Sequence, residues 1–347
     1  WGSSETVDLS IGYDGLYGNV IGVLTAEGSP YHVTGDLYVN NNDSLIIEPG
    51  VEFIMSHNAE FYVRGKLHAV GTEQDSIVFN SINDIAGSWD GLEVSWNSNQ
   101  WKPPATLSYV RIHNGGNSMF SSAALEIRDR WGNVTISHVL ITGNGAEGLE
   151  VSYMNGDSSD SSNVHIHDVK ISSSSRDGMQ VRYNDYTNVH VRDVQLYNSW
   201  YEGLEVAYNN YSILNFMNMD IKNNGEEAVN FYNNNTGTKV KLEYSNLVNN
   251  GQRYNWDPVV RLGNYDYSNG SLTLNNNNII PSQAQQDYTS NWYSVRVEAN
   301  GNGDQIDMTS NYWGQQITQE MDSLGTRADI TKIHDYWDNN SRSEVAY

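Results

Sequence analysis

From Gly91 onward one short alternation returns along the chain. Gly91-Leu92-Glu93-Val94 is followed by Ala124-Leu125-Glu126-Ile127, Gly148-Leu149-Glu150-Val151, Gly178-Met179-Gln180-Val181, Gly203-Leu204-Glu205-Val206 and Ala228-Val229-Asn230-Phe231. Val259-Val260-Arg261-Leu262 and Ser294-Val295-Arg296-Val297 are weaker echoes, and the start-to-start intervals are 33, 24, 30, 25, 25, 31 and 35 residues. Apolar residues every second position predict strands, with the apolar pair facing a core and the residue between them facing solvent. A period near 25 with occasional insertions predicts one solenoid coil plus loops.

A second strand follows each of five of these. VTISHVLI (Val134–Ile141), VHIHDVKI (Val164–Ile171), VHVRDVQL (Val189–Leu196), LNFMNMDI (Leu214–Ile221) and VKLEYSNL (Val240–Leu247) share apolar first, third and eighth positions. All but the last, which has Ser245, also have an apolar sixth. The extra polar residue mid-run predicts a bend between two short strands. Coils then end in polar turns beginning at Asn198, Asn223 and Asn249, where asparagine tolerates left-handed backbone and hydrogen-bonds its counterpart one coil away.

Three short strands per coil predict an all-β fold, a parallel β-helix. A propeller blade needs four strands in about 40 residues, and a leucine-rich repeat needs a shorter period and its own consensus. SLIIEPGVEFIM (Ser44–Met55) and EFYVRGKLHAVG (Glu60–Gly71) read as opening coils. ITQEMDSL, apolar at Ile317, Met321 and Leu324, reads as one short amphipathic helix over the last coil. The expected division is an N-terminal extension or cap over 1–35, the β-helix over 36–314, and a C-terminal cap and tail over 315–347.

Composition narrows the partners. With 19 basic and 42 acidic residues, a net charge of −23 excludes nucleic acid and anionic membrane surfaces. It also makes a polyuronate partner awkward without bridging calcium. No cysteine is present, so thiol catalysis and thiolate metal sites are out. No apolar run approaches the ~20 residues of a membrane span, so no insertion is expected. The start, Trp1-Gly2-Ser3-Ser4, has no export-signal pattern, so any signal is expected to have been removed or never to have been there. Abundant Asn, Ser, Gly and Tyr with few Lys suit a secreted or cell-surface protein.

The coil strands, the IIEPGVEF opening and the NYWG and IHDYWDN ending resemble the right-handed parallel β-helix superfamily of secreted and surface proteins, over roughly residues 36 to 340. That superfamily holds pectin and alginate lyases, polygalacturonases, tailspikes and non-catalytic adhesins, so the resemblance implies a fold rather than one activity.

Stacking the coils predicts two acidic columns. One is Glu93, Glu126, Glu150, Gln180, Glu205 and Asn230; the other, just before the glycine position, is Asp90, Glu147, Asp177, Glu202 and Glu227. Coils about 4.8 Å apart bring such carboxylates close enough to raise one another's pKa or share a cation. Calcium is the expected ion, with Glu150, Asp177, Glu202 and Glu205 as candidate ligands. By resemblance to polygalacturonases, whose catalytic aspartates precede the same strand, SRDGMQV and YEGLEV map catalysis onto Asp177 and Glu202. Ser175-Arg176 replaces that family's Asn-Thr, and its Gly-His-Gly and Arg-Ile-Lys motifs are absent. Acids on adjacent coils, at about 5 Å, suit a retaining mechanism; Glu147 and Glu202, at about 9.6 Å, lie nearer inverting geometry. Acid before glycine is also ordinary turn chemistry, and a carboxylate ladder an ordinary solubilising surface.

Trp96, Tyr153, Tyr183 and Tyr208 recur two residues past the strand's last apolar position. They read either as a corner stack or, beside Glu150, Gln180 and Glu205, as a platform for pyranose rings. His165, His167 and His190 read as surface alternation or a zinc set. Arg182, beside Asp177, and Arg192 are the candidate proton acceptors for lyase chemistry. The leading expectation is a secreted or surface module binding polysaccharide or another extended partner along this acidic, aromatic face without chemistry. The alternatives are a glycan-cleaving enzyme, hydrolase before lyase, and a rigid adhesin spacer.

Overall fold

The computed structural model describes residues 15–95, 103–117, 123–129, 133–254, 257–263, 270–287, 292–298, 305–324, 329–335, 338 and 342–346. Its strands pair in parallel, coil on coil. The chain is a right-handed parallel β-helix, the hand that parallel crossovers adopt.

The repeated alternation forms the short strands Gly91–Val94, Leu125–Arg128, Leu149–Ser152, Met179–Arg182, Leu204–Ala207 and Val229–Tyr232. Leu92, Leu125, Leu149, Met179, Leu204 and Val229 pair in that order. All six are buried in the continuous apolar column.

The second runs form the long strands Asn133–Thr142, Ser162–Ser172, Thr187–Tyr197 and Ile213–Lys222. Each bends where the alternation breaks. His138, Asp168, Asp193 and Asn218 have φ of 53, 55, 56 and 53°, and the pairing passes over them. The fifth run splits into Lys239–Glu243 and Asn246–Val248 around left-handed Tyr244.

The turn asparagines behave as the sequence predicts: Asn198, Asn223 and Asn249 are left-handed, and Asn249 donates to Asn223. A second ladder lies one residue on, where buried Asn224 donates to Asn250 Oδ1 at 2.9 Å. A third runs through buried Asn184, Asn209 and Asn234, each donating to the next at 2.8 Å. Stacked amides satisfy one another in an interior that would otherwise penalise them.

The predicted helix forms over Gln315–Leu324. Ile317 is buried and Met321 packs on the core, but Leu324 is exposed. Strand pairing reaches beyond residues 36 and 314. Leu16–Asn19 pairs with Tyr31–Val39, and Ile333–His334 and Glu344–Ala346 add to the last strands. No helix among the described residues is long and apolar enough to cross a membrane.

Candidate functional site

The two acidic columns stack in the expected register. Glu93, Glu126, Glu150, Gln180, Glu205 and Asn230 pair in turn, and Arg261 and Arg296 continue the column. The pre-glycine acids are joined through the backbone: the amides of Gly148, Gly178 and Gly203 donate to the carbonyls of Asp177, Glu202 and Glu227, each at 3.0 Å.

The expectation that they face open solvent is corrected. Glu126, Glu150, Gln180 and Glu205 are buried, as are Glu147 and, at 4 % exposure, Asp177; Glu202 is half-buried. Over Glu126, Glu147 and Glu150 arginines fold across the carboxylates. Arg182 grips Glu150 with two hydrogen bonds, of 3.1 and 3.2 Å. Arg128 reaches Glu126 at 3.1 Å, and Arg176 reaches Glu147 at 3.1 Å. Arg261 pairs with Glu227 and also meets Asp257 and Glu298, each at 3.3 Å. Arg182 is therefore the partner of Glu150 rather than of Asp177, and Arg192 is spent on Asp193 at 2.5 Å.

Asp177, Glu202 and Glu205 have no such cation among the described residues. Asp177 accepts from Gln180 Nε2 at 2.5 Å and from the Glu202 amide at 3.1 Å. Glu202 accepts from Asn230 Nδ2 at 3.0 Å, and Glu205 from the Tyr232 hydroxyl at 3.2 Å. Burial, then the neighbouring Glu202 carboxylate, pushes Asp177 well above the usual carboxylate range. Burial and Glu202 push Glu205 up to about 7. Burial likewise lifts Glu126 to about 8, with Glu150 adding and Arg128 opposing; Glu227 also reaches about 8, against Arg261. The loss of hydration outweighs the guanidinium attraction.

The proposed calcium set is not brought together. Glu150 is occupied by Arg182, and among the described residues the three carboxylates that converge are Glu202, Glu226 and Glu227. Arg253 and Arg261 already counter Glu226 and Glu227.

Of the two readings of the tyrosines, the contacts follow the corner stack. Tyr153 and Tyr183 stack at 5.0 Å, Tyr183 and Tyr208 at 4.7 Å, and Tyr232 closes on Tyr208 edge-on at 5.3 Å. The guanidinium of Arg128 sits 5.5 Å from the Tyr153 ring. The rings use their faces on one another and offer solvent their edges. They are left-handed corners, with φ of 52, 56 and 57°, which turns the ring off the strand. Trp96 lies outside the described residues. The zinc set also divides: His165 stacks on His190 at 5.2 Å, while His167 turns toward Asp168.

Trp200 is the residue that pattern reading passed over. It is 57 % exposed and fills the turn position that Gly225 and Gly251 fill in the next coils. At Gly225 a Cβ would come 2.0 Å from the Trp200 carbonyl oxygen, so the coil above carries no side chain there. Two grooves share Trp200 and Ser175 in their walls. One, of about 750 Å³, is lined further by Asn198, Asn223, Gln252 and Arg253; the other, of about 600 Å³, by Asn117, Arg176 and Tyr201. The Arg253 guanidinium lies 5.0 Å from the Trp200 ring. The sequence signal was the break in the turn series: Asn-Ser-Trp where the next two coils read Asn-Asn-Gly.

No protein-family model matches the chain, and no curated protein matches its sequence. Among solved structures it is similar to the A-module of the Azotobacter vinelandii mannuronan C-5 epimerase AlgE4, at 14 % identity over 80 % of this chain and 87 % of that one, with a TM-score of 0.36. It is similar to the Dettilon tailspike protein at 10 % identity and a TM-score of 0.42, over 94 % of this chain and 62 % of the tailspike. The AlgE6 A-module of the same bacterium matches at 14 % identity over 90 % and 89 % of the two chains, with a TM-score of 0.26.

Proposed function

We propose that the chain is a secreted or surface β-helix that binds an extended, uncharged polysaccharide beside Trp200 and does not cleave it. The observation that carries the reading is the pair of grooves meeting at an exposed tryptophan, walled by amides, hydroxyls and two arginines. One indole face with convergent hydrogen-bonding groups is what a pyranose needs: apolar contact for its C–H face and polar partners for its hydroxyls. A chain of sugars crossing Trp200 would meet both grooves, so several sugar units would add to affinity. A net charge of −23 disfavours a polyanionic glycan unless a cation bridges it.

Affinity for a polysaccharide panel, measured with and without calcium, tests this. Trp200→Ala is expected to remove binding to the best ligand, while Tyr183→Ala with Tyr208→Ala leaves it. Unchanged binding by Trp200→Ala would overturn the site, and binding to no glycan would leave only a spacer.

Cleavage is the second reading, favoured by one observation. Asp177, pushed toward its protonated form, sits against the half-buried Glu202, and two neighbouring acids in unlike environments are what acid–base chemistry uses. Release of reducing ends that disappears in Glu202→Gln would establish it. Asp177 is buried and walls neither groove, which favours binding alone.

A further inference from the structure

The zinc set expected at His165, His167 and His190 is broken up, but the bends of the long strands assemble another. His138 and Asp168 occupy the same bend on neighbouring coils, both left-handed. Both are exposed at equivalent positions of the stack, so the two project outward one above the other. His167, next to Asp168, completes the group: its Nδ1 lies 2.7 Å from Asp168 Oδ2, and His138 Nε2 lies 3.9 Å from the same oxygen. One ligand atom from each of the three falls within 4.8 Å of the others. The His138 ring is held in place by Tyr109, the bend residue one coil below, stacked at 4.3 Å and 15°.

We infer that His138, His167 and Asp168 form a binding site for a borderline divalent cation of the Zn²⁺ class. Two imidazoles and one carboxylate make a mixed nitrogen and oxygen set that zinc accepts, whereas calcium and magnesium take oxygen. Metal–ligand bonds of about 2.0–2.2 Å in a tetrahedron hold ligand atoms roughly 3.3–3.5 Å apart. The present 2.7 and 3.9 Å lie on either side of that spacing, and the two imidazoles' ligand atoms lie within 4.8 Å of each other, so side-chain rotation with the backbone fixed by the coil stack can bring the three to one ion. His138 and Asp168 face a groove of about 770 Å³, lined also by Arg111, Lys170, Asp193 and Asp220. A cation there would keep one coordination position open to water or to a small anionic ligand held by Arg111 or Lys170. Neither the glycan site nor the acid columns use these residues.

Titration with ZnCl₂, followed by calorimetry and by the visible absorption of Co²⁺ in its place, tests the inference. The wild-type chain is expected to take up one equivalent with a tetrahedral Co²⁺ spectrum and a raised melting temperature. His138→Asn and Asp168→Asn keep a residue that tolerates left-handed backbone and are expected to abolish that equivalent with the zinc-free melting temperature unchanged. His167→Gln is expected to do the same, and His165→Gln to leave binding intact. No stoichiometric uptake by the wild type would overturn the site. So would uptake that survives His138→Asn and Asp168→Asn, or that His165→Gln lowers equally.

Discussion

Glu126 and Glu150 each have a guanidinium within 3.2 Å, whereas Asp177, Glu202 and Glu205 on the following coils have none among the described residues. The strands, the spacing and the burial are alike; the difference is one side chain per coil. Arg128 reaches Glu126 on its own strand, and Arg182 reaches Glu150 from the next coil, Ser152 standing on Glu150's own strand; for Glu205 the same two positions are Ala207 and Tyr232. Where the arginine is missing, neutral hydrogen bonds take over. Gln180 and Asn230 replace carboxylates in the column, and Tyr232 donates to Glu205. Burying a carboxylate on this face therefore has two solutions, a cation above it or an environment that favours its protonated form. The first adds a dependence on the arginine, and both leave the structure dependent on pH, because burial raises Glu126 beside Arg128 as well as Glu205.

The comparison breaks most severely if the arginines are removed. Arg261→Met strands buried Glu227 and Asp257 and should cost about 3–5 kcal/mol in urea unfolding at pH 9. The loss should be smaller at pH 6, because Glu227, pushed up to about 8, then takes up a proton. An equal loss at both values would show that the guanidinium acts through packing alone. Leu204→Ala, in the shared core under the arginine-free stretch, should cost about 2–5 kcal/mol, and Leu149→Ala under the paired stretch a similar amount. A large gap between the two would mean that the stretches differ in packing as well as in charge.

The third test is pH. Glu205, at about 7, and Glu126 and Glu227, at about 8, bind protons more tightly folded than unfolded. Their contribution is thus fully present below the ordinary glutamate range and declines as pH rises from about 4.5 to 8. The melting temperature should fall across that window, and Glu205→Gln should flatten its lower part. A melting temperature that rose with pH would contradict the assignment. The smallest effect is expected from Asp177→Asn, which already accepts from Gln180 and carries no ion pair. It should change stability by about 1 kcal/mol or less near pH 7. A loss as large as that of Arg261→Met would place Asp177 with the paired acids.

Much of this molecule is written in the repeat itself. Each coil must align its backbone hydrogen bonds with the next, so a period near 25 and an apolar alternation were enough to place Leu149, Met179 and Leu204 in one inward column. The same constraint made the bends at His138 and Asp168 and the left-handed asparagines legible, because a polar residue that interrupts alternation has few other backbone states. Which residues stack was therefore determined by the sequence alone. What each stacked side chain touches was decided by tertiary structure. Arginine is long enough to choose between coils, so Arg182 grips Glu150 on the coil below rather than Asp177 on its own. A left-handed corner turned Tyr153, Tyr183 and Tyr208 onto one another, so that Tyr183 has a ring stacked on each face. Trp200 and the group of His138, His167 and Asp168 acquire their chemistry from neighbours several coils away in the chain, in grooves that no one-coil pattern describes. Register follows from a backbone that repeats, whereas a site depends on side-chain reach and direction, which need not repeat.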